Sequence, residues 1–191
     1  MVIPGLTIYN SVLNAWANSF QRNAAERSES LLNRMKVLYQ TGRNSGVDPD
    51  MISLSTVMKC HSESKSKEGT ERAEELLDEA IALYNEGNRK VKPDSIMFNC
   101  ALLGWASISG VEGQNQGGMA AERAELLLHK MKKIEREDSS LDINQDTQSF
   151  NIVLDCVSSN GFTAFFLHLC IAFSNLSYFV IDLAPNSGLR A

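Results

Sequence analysis

One sequence pattern returns at nearly constant spacing along this chain, and a long regular period is the mark of stacked repeats. Its first anchor reads Pro4-Gly5-Leu6-Thr7-Ile8-Tyr9-Asn10, then Pro49-Asp50-Met51-Ile52-Ser53-Leu54-Ser55, then Pro93-Asp94-Ser95-Ile96-Met97-Phe98-Asn99. A fourth copy is Gln145-Asp146-Thr147-Gln148-Ser149-Phe150-Asn151. The second anchor is Glu26-Arg27-Ser28-Glu29-Ser30-Leu31-Leu32, Glu71-Arg72-Ala73-Glu74-Glu75-Leu76-Leu77 and Glu122-Arg123-Ala124-Glu125-Leu126-Leu127-Leu128. From Asn10 to Glu26 and from Ser55 to Glu71 is 16 residues; from Asn99 to Glu122 is 23. The excess falls in 109–118, a Gly-rich stretch of loop composition.

Each half of the repeat reads as a helix. Tyr9, Val12, Leu13 and Trp16 sit at i, i+3, i+4 and i+7, one apolar stripe. Ile96, Asn99, Leu103 and Ala106 share a face of the third copy, with Asn99 expected near the helix start rather than deep in a core. In the second halves Leu31, Leu32, Met35 and Leu38 repeat at helical spacing, as do Leu76, Leu77, Ala80, Ile81 and Tyr84, and Leu127, Leu128, Met131 and Ile134. Pro49 and Pro93 fall between repeats, where a helix must stop. One helical hairpin cannot bury its apolar face, but stacked hairpins can. The expected fold is therefore all-α, a right-handed α-solenoid of helix-turn-helix repeats over 6–50, 51–94, 95–146 and a partial 147–160.

At these residues the chain resembles the pentatricopeptide-repeat family. That family's unit ends in Pro-Asp, opens its next first helix with Tyr-Asn or Phe-Asn, and carries Ala-Glu-x-Leu-Leu-x-x-Met in its second helix. Here the matching residues are Pro49-Asp50, Pro93-Asp94, Tyr9-Asn10, Phe98-Asn99, Phe150-Asn151, and Ala124-Glu125 with Leu127-Leu128 and Met131. The resemblance covers residues 4 to about 160. One departure is the period: 45, 44 and 52 residues here (Asn10 to Ser55, to Asn99, to Asn151), against a family unit near 35. The alternative is a tetratricopeptide-like scaffold that binds protein, although such a core has no need of the recurring Pro-Asp.

The resemblance implies binding of single-stranded RNA, a substrate such repeats read one base per repeat. Two side chains per repeat would read the base: Asn10 with Asp50, Ser55 with Asp94, and Asn99 with Asp146, while Asn151 begins a fourth pair. Thr7, Ile52, Ile96 and Gln148 would flank the bases. By the family's pairing rules Asn with Asp resembles a uracil reader and Ser with Asp a guanine-favouring one, which implies a preference near 5′-UGU-3′. The resemblance further implies work in organellar RNA processing, stability or translation, in mitochondrion or plastid. The other reading of the same residues is structural: the Asn and Ser cap turns, and the Asp residues are helix N-caps.

Charge and the remaining motifs bound the function. Net charge is −5, so no overall field draws in nucleic acid. The first helices are nearly uncharged: 6–20 and 95–110 hold no Asp, Glu, Lys or Arg, and 51–62 holds only Lys59. Cys60, Cys100, Cys156 and Cys170 match no metal knuckle or disulfide framework, and the first three are expected to be buried thiols. His61, His129 and His168 stand apart. Glu71, Glu74, Glu75, Asp78 and Glu79 read as a solvated acidic face. No nucleophile motif or phosphate loop appears, so neither enzyme activity nor a cofactor is expected.

No signal peptide or Arg-rich presequence leads the chain; it either stays where it is made or lacks its natural start. After Asn160-Gly161 the repeat pattern stops. Residues 156–181 contain no Asp, Glu, Lys or Arg, and 162–184 is long enough to leave a membrane span open, although Ser174, Asn175 and Ser177 interrupt it. The segment 161–191 also reads as a capping helix over the open end of the solenoid or as a stretch foreign to the repeat, and the abrupt loss of register favours the last.

Overall fold

The computed structural model describes residues 4–109 and 116–158. Within them the chain is helical: α1 (Leu6–Ala17), α2 (Ala24–Gln40), α3 (Met51–Ser62), α4 (Lys67–Asn85), α5 (Ser95–Ser109), α6 (Gln116–Glu137) and α7 (Thr147–Ser158), with one 3-10 turn at Ser45–Val47. The tail 161–191 and the centre of the Gly-rich stretch lie outside the described residues. Its ends do not: Ser109 closes α5, and Gln116, Gly117 and Gly118 already belong to α6, so the stretch expected to be loop is partly helix. Among the described residues no helix is long and apolar enough to cross a membrane.

Local chemistry sets the helix limits. Asp50 caps α3: its carboxylate accepts from the Ser53 backbone N–H at 2.9 Å, and the Ser53 hydroxyl accepts from the Asp50 N–H at 3.3 Å, a reciprocal capping box. Asp94 accepts from Met97 N–H at 3.0 Å, and Asp146 from Ser149 N–H at 2.8 Å. The three Pro-Asp or Gln-Asp junctions thus start three first helices the same way. Past the end of α4, Gly87 takes a left-handed φ of +98°, which lets Asn88 N–H return to the Leu83 carbonyl at 2.9 Å.

Helices pair as α1–α2, α3–α4 and α5–α6, and each first helix packs on the next: α1 on α3, α3 on α5, α5 on α7. Second helices also pack on the following first helix, α2 on α3, α4 on α5 and α6 on α7. The core lies between these layers. Helix position four supplies Tyr9, Leu54 and Phe98, position eight supplies Leu13, Met58 and Leu102, and the second helices add Leu32, Met35, Leu76, Leu77, Leu127, Leu128 and Met131, all buried. Each large side chain removed from water contributes about 1.5–3 kcal/mol. Backbone bonds join the inter-repeat links, Met51 N–H to the Lys90 carbonyl at 3.2 Å and Ser95 N–H to the Asp142 carbonyl at 3.0 Å.

Ion pairs tie the hairpins together at one recurring place. Glu29 on α2 is held by the following hairpin: Arg72 Nη2 donates to Oε1 at 2.7 Å, and His61 Nε2 lies 3.0 Å from Oε2. Glu74 on α4 is held alike, with Arg123 Nη2 on Oε1 at 2.5 Å and Trp105 Nε1 on Oε2 at 2.9 Å. Lys36 pairs with Glu79, and Lys130 with Asp78. Glu74 and Glu79 are therefore half-buried in contacts with neighbouring hairpins, whereas Glu71, Glu75 and Asp78 of the expected solvated face are exposed, Asp78 while paired with Lys130.

Candidate functional site

The four polar positions read as base contacts occupy one helical site. Asn10, Ser55, Asn99 and Asn151 are each the fifth residue of a first helix, and Thr7, Ile52, Ile96 and Gln148 are each the second. All four second residues are exposed. Since the first helices pack side by side, the two rows run across successive repeats.

The first pair closes as expected. Asn10 Nδ2 donates to Asp50 Oδ1 at 3.2 Å, and Ser53 Oγ lies 2.7 Å from Asn10 Oδ1. Thr7, Asn10, Asp50 and Ile52 line one open cleft of about 360 Å³, together with Leu6, Ser11 and Asn14. Asp50 can do two things at once because a carboxylate has four lone-pair directions: one oxygen caps α3, and both face the Asn10 amide. The structural reading of the Asp residues as N-caps is thus correct for Asp50, Asp94 and Asp146, and it coexists with the pairing. The Asn residues do not cap turns; they lie inside helices.

For the third pair, the Ser149 backbone N–H and the Ser149 hydroxyl are the partners that hold the Asp146 carboxyl below its ordinary range, and Asn99 adds a smaller influence of the same sign. Here the expectation for Asn99 needs correction. It sits near the helix start, but at 6% exposure it is buried, and its Oδ1 has no hydrogen-bond partner among the described residues. Neighbouring Ile96 and Leu103 remain exposed, so the proposed shared face is split between core and solvent. The second pair does not close: the Ser55 hydroxyl donates to the Ile52 carbonyl at 3.3 Å, while Asp94 caps α5. A Ser side chain is one bond shorter than Asn, and its hydroxyl finds its own helix backbone first. Asn151 is exposed on α7.

Sequence reasoning missed Ser53 and Ser149, which buttress Asp50 and Asp146. The signal was present, since Asp-x-x-Ser ahead of an apolar run is a capping-box pattern. The cysteine expectation is met for Cys60 and Cys156, whereas Cys100 is only half-buried, and burial raises the Cys100 thiol to about 11. Among the described residues the first helices bring one Lys or Arg to this row, Lys59, which is 3.5 Å from Asn18 Oδ1 and 3.9 Å from Glu63. No family model, curated protein or solved structure matches this chain.

Proposed function

We propose that the chain is a right-handed α-solenoid of pentatricopeptide-like repeats whose row of first helices binds single-stranded RNA, in the service of organellar RNA processing, stability or translation. The observation that carries the reading is the first pair: an Asn amide oriented by a carboxylate, in an open cleft flanked by Thr7 and Ile52. A cleft of this kind offers a base edge hydrogen bonds, and its rim offers a base face contact. Asn99 lies near Asp146 two hairpins on, but it is buried and offers a base less than Asn10 does. The Ser55 position contributes less, because its hydroxyl is already spent on Ile52.

A protein-binding scaffold is the second reading. The exposed Ile52, Ile96 and Leu103 on an almost uncharged row favour it. Binding of short single-stranded RNAs to the wild type and to Asn10→Ser separates the two. On the RNA reading, 5′-UGU-3′ binds, and the mutation moves preference at the first base from uracil toward guanine by about 1–3 kcal/mol, the usual worth of one base contact. Binding with unchanged preference makes Asn10 a stacking residue only, and absence of binding to any RNA favours the scaffold.

A further inference from the structure

The leading face of α1 carries the same surface that every later hairpin buries against its predecessor. Positions three, seven and ten of the first helices are Ser53, Val57 and Cys60 in α3, Met97, Ala101 and Gly104 in α5, and Ser149, Val153 and Cys156 in α7. All nine are buried. The equivalents in α1 are Ile8, Val12 and Ala15, all apolar and all exposed, Ile8 at 53% and Val12 at 42%.

The polar part of the junction is also duplicated. Glu29 and Glu74 are each gripped by two donors from the next hairpin, a ring N–H at helix position eleven on Oε2 and a guanidinium on Oε1. The first hairpin owns both donors. Trp16 stands at position eleven, and Arg27 aligns with Arg72 and Arg123 in the Glu-Arg anchor. Among the described residues neither the Trp16 indole N–H nor the Arg27 guanidinium has a hydrogen-bond or ion-pair partner. Ring N–H, guanidinium and apolar stripe are present, and among the described residues no carboxylate bridges the two donors.

We infer that this face is a docking surface for one further helical hairpin of the same kind, with a glutamate on its second helix where Glu29 and Glu74 stand. The surface continues the interface already formed three times in the molecule, and its charge complements such a partner. The two free donors call for a carboxylate, and the uncharged α1 adds no repulsion. Stacked repeats gain stability from each added nearest-neighbour interface. The inference rests on hairpin stacking and stands or falls apart from the RNA reading.

The test inserts a second copy of residues 51–94 directly ahead of Leu6 in the full chain, which brings the copy's Glu74 opposite Trp16 and Arg27. The copy contains no Trp, so the indole N–H region of a nitrogen-15 NMR spectrum still holds two signals, and Trp16→Phe identifies the one to follow. We expect a single cooperative unfolding transition at a Tm several degrees higher, and a shifted Trp16 signal. Arg27→Ala should lower Tm by about 2–4 °C in the extended chain, and by less than about 1 °C in the original, where no described residue pairs with Arg27. Glu74→Gln in the inserted copy alone should reproduce that loss. A separate early transition, an unmoved Trp16 signal, or equal sensitivity to Arg27→Ala in both chains overturns the inference. So does an original chain that is dimeric and becomes monomeric on Val12→Asp, because the face then serves self-association.

Discussion

Glu29 shows how one residue's environment decides its role. Burial raises its carboxyl, but hydrogen bonds from His61 and Arg72 outweigh that and hold it down at about 2, from an ordinary 4.5. A depressed carboxyl stabilises the fold above its unfolded value, and the contribution fades as pH falls through the folded one. Glu29→Gln should therefore cost about 2 kcal/mol at pH 7, after allowance for solvent screening. The gap between mutant and wild type should close as pH drops from about 4.5 toward 2, which urea unfolding at a series of pH values will measure. A gap that stays constant across that window means the carboxylate is not what Arg72 and His61 hold. At this scale the sequence was readable in kind but not in partner. The Glu-Arg anchor was plain, yet nothing in it says that Arg72 reaches back 43 residues to Glu29 instead of pairing only with Glu75 beside it.

At the scale of elements, the helices follow from periodicity and capping, while their closest approaches do not. Gly69 lies in the first turn of α4, where Ser66 caps its N–H at 3.0 Å. A Cβ at Gly69 would stand 2.8 Å from the His61 backbone carbonyl oxygen. Alanine is the better helix former by about 1 kcal/mol, but the carbonyl belongs to the last turn of α3 and cannot rotate away. Overpacking of this kind costs about 1–3 kcal/mol, so Gly69→Ala should destabilise on balance in chemical denaturation. A stabilised Gly69→Ala would show that the α3–α4 turn yields freely. The same contrast explains the apolar stripe of α1. Val12 was read as core because its spacing matches Tyr9 and Leu13, and Val57, Ala101 and Val153 at the same position are indeed buried. Val12 is exposed because burial at position seven needs a preceding first helix, and that is a property of neighbours rather than of periodicity.

For the whole molecule, charge placement governs any nucleic-acid binding. Basic residues on α2, α4 and α6 are largely engaged: Lys36, Arg72, Arg123 and Lys130 all pair with carboxylates across hairpins. The first helices bring Lys59 alone. RNA held on that row should release few counterions, and log K against log salt should fall no more steeply than about −1. A potassium chloride titration of RNA affinity checks this, and a slope near −3 or beyond would move the binding surface to the second helices.

By itself the sequence determined the helical class and the pairing of helices in repeated units, because an apolar period, a Pro-Asp break and an N-cap act over a few residues and leave their mark wherever they occur. The repeat spacing also put Asn10 and Asp50 a whole repeat apart in equivalent places, and these two side chains are hydrogen-bonded. Only the tertiary structure decided that Ser55 turns to its own helix, that Asn99 is buried with an oxygen no described residue bonds, and that two glutamates lock successive hairpins. Those outcomes depend on side-chain reach and on which neighbour competes for a hydrogen bond within about 3 Å, distances that spacing along a chain does not encode.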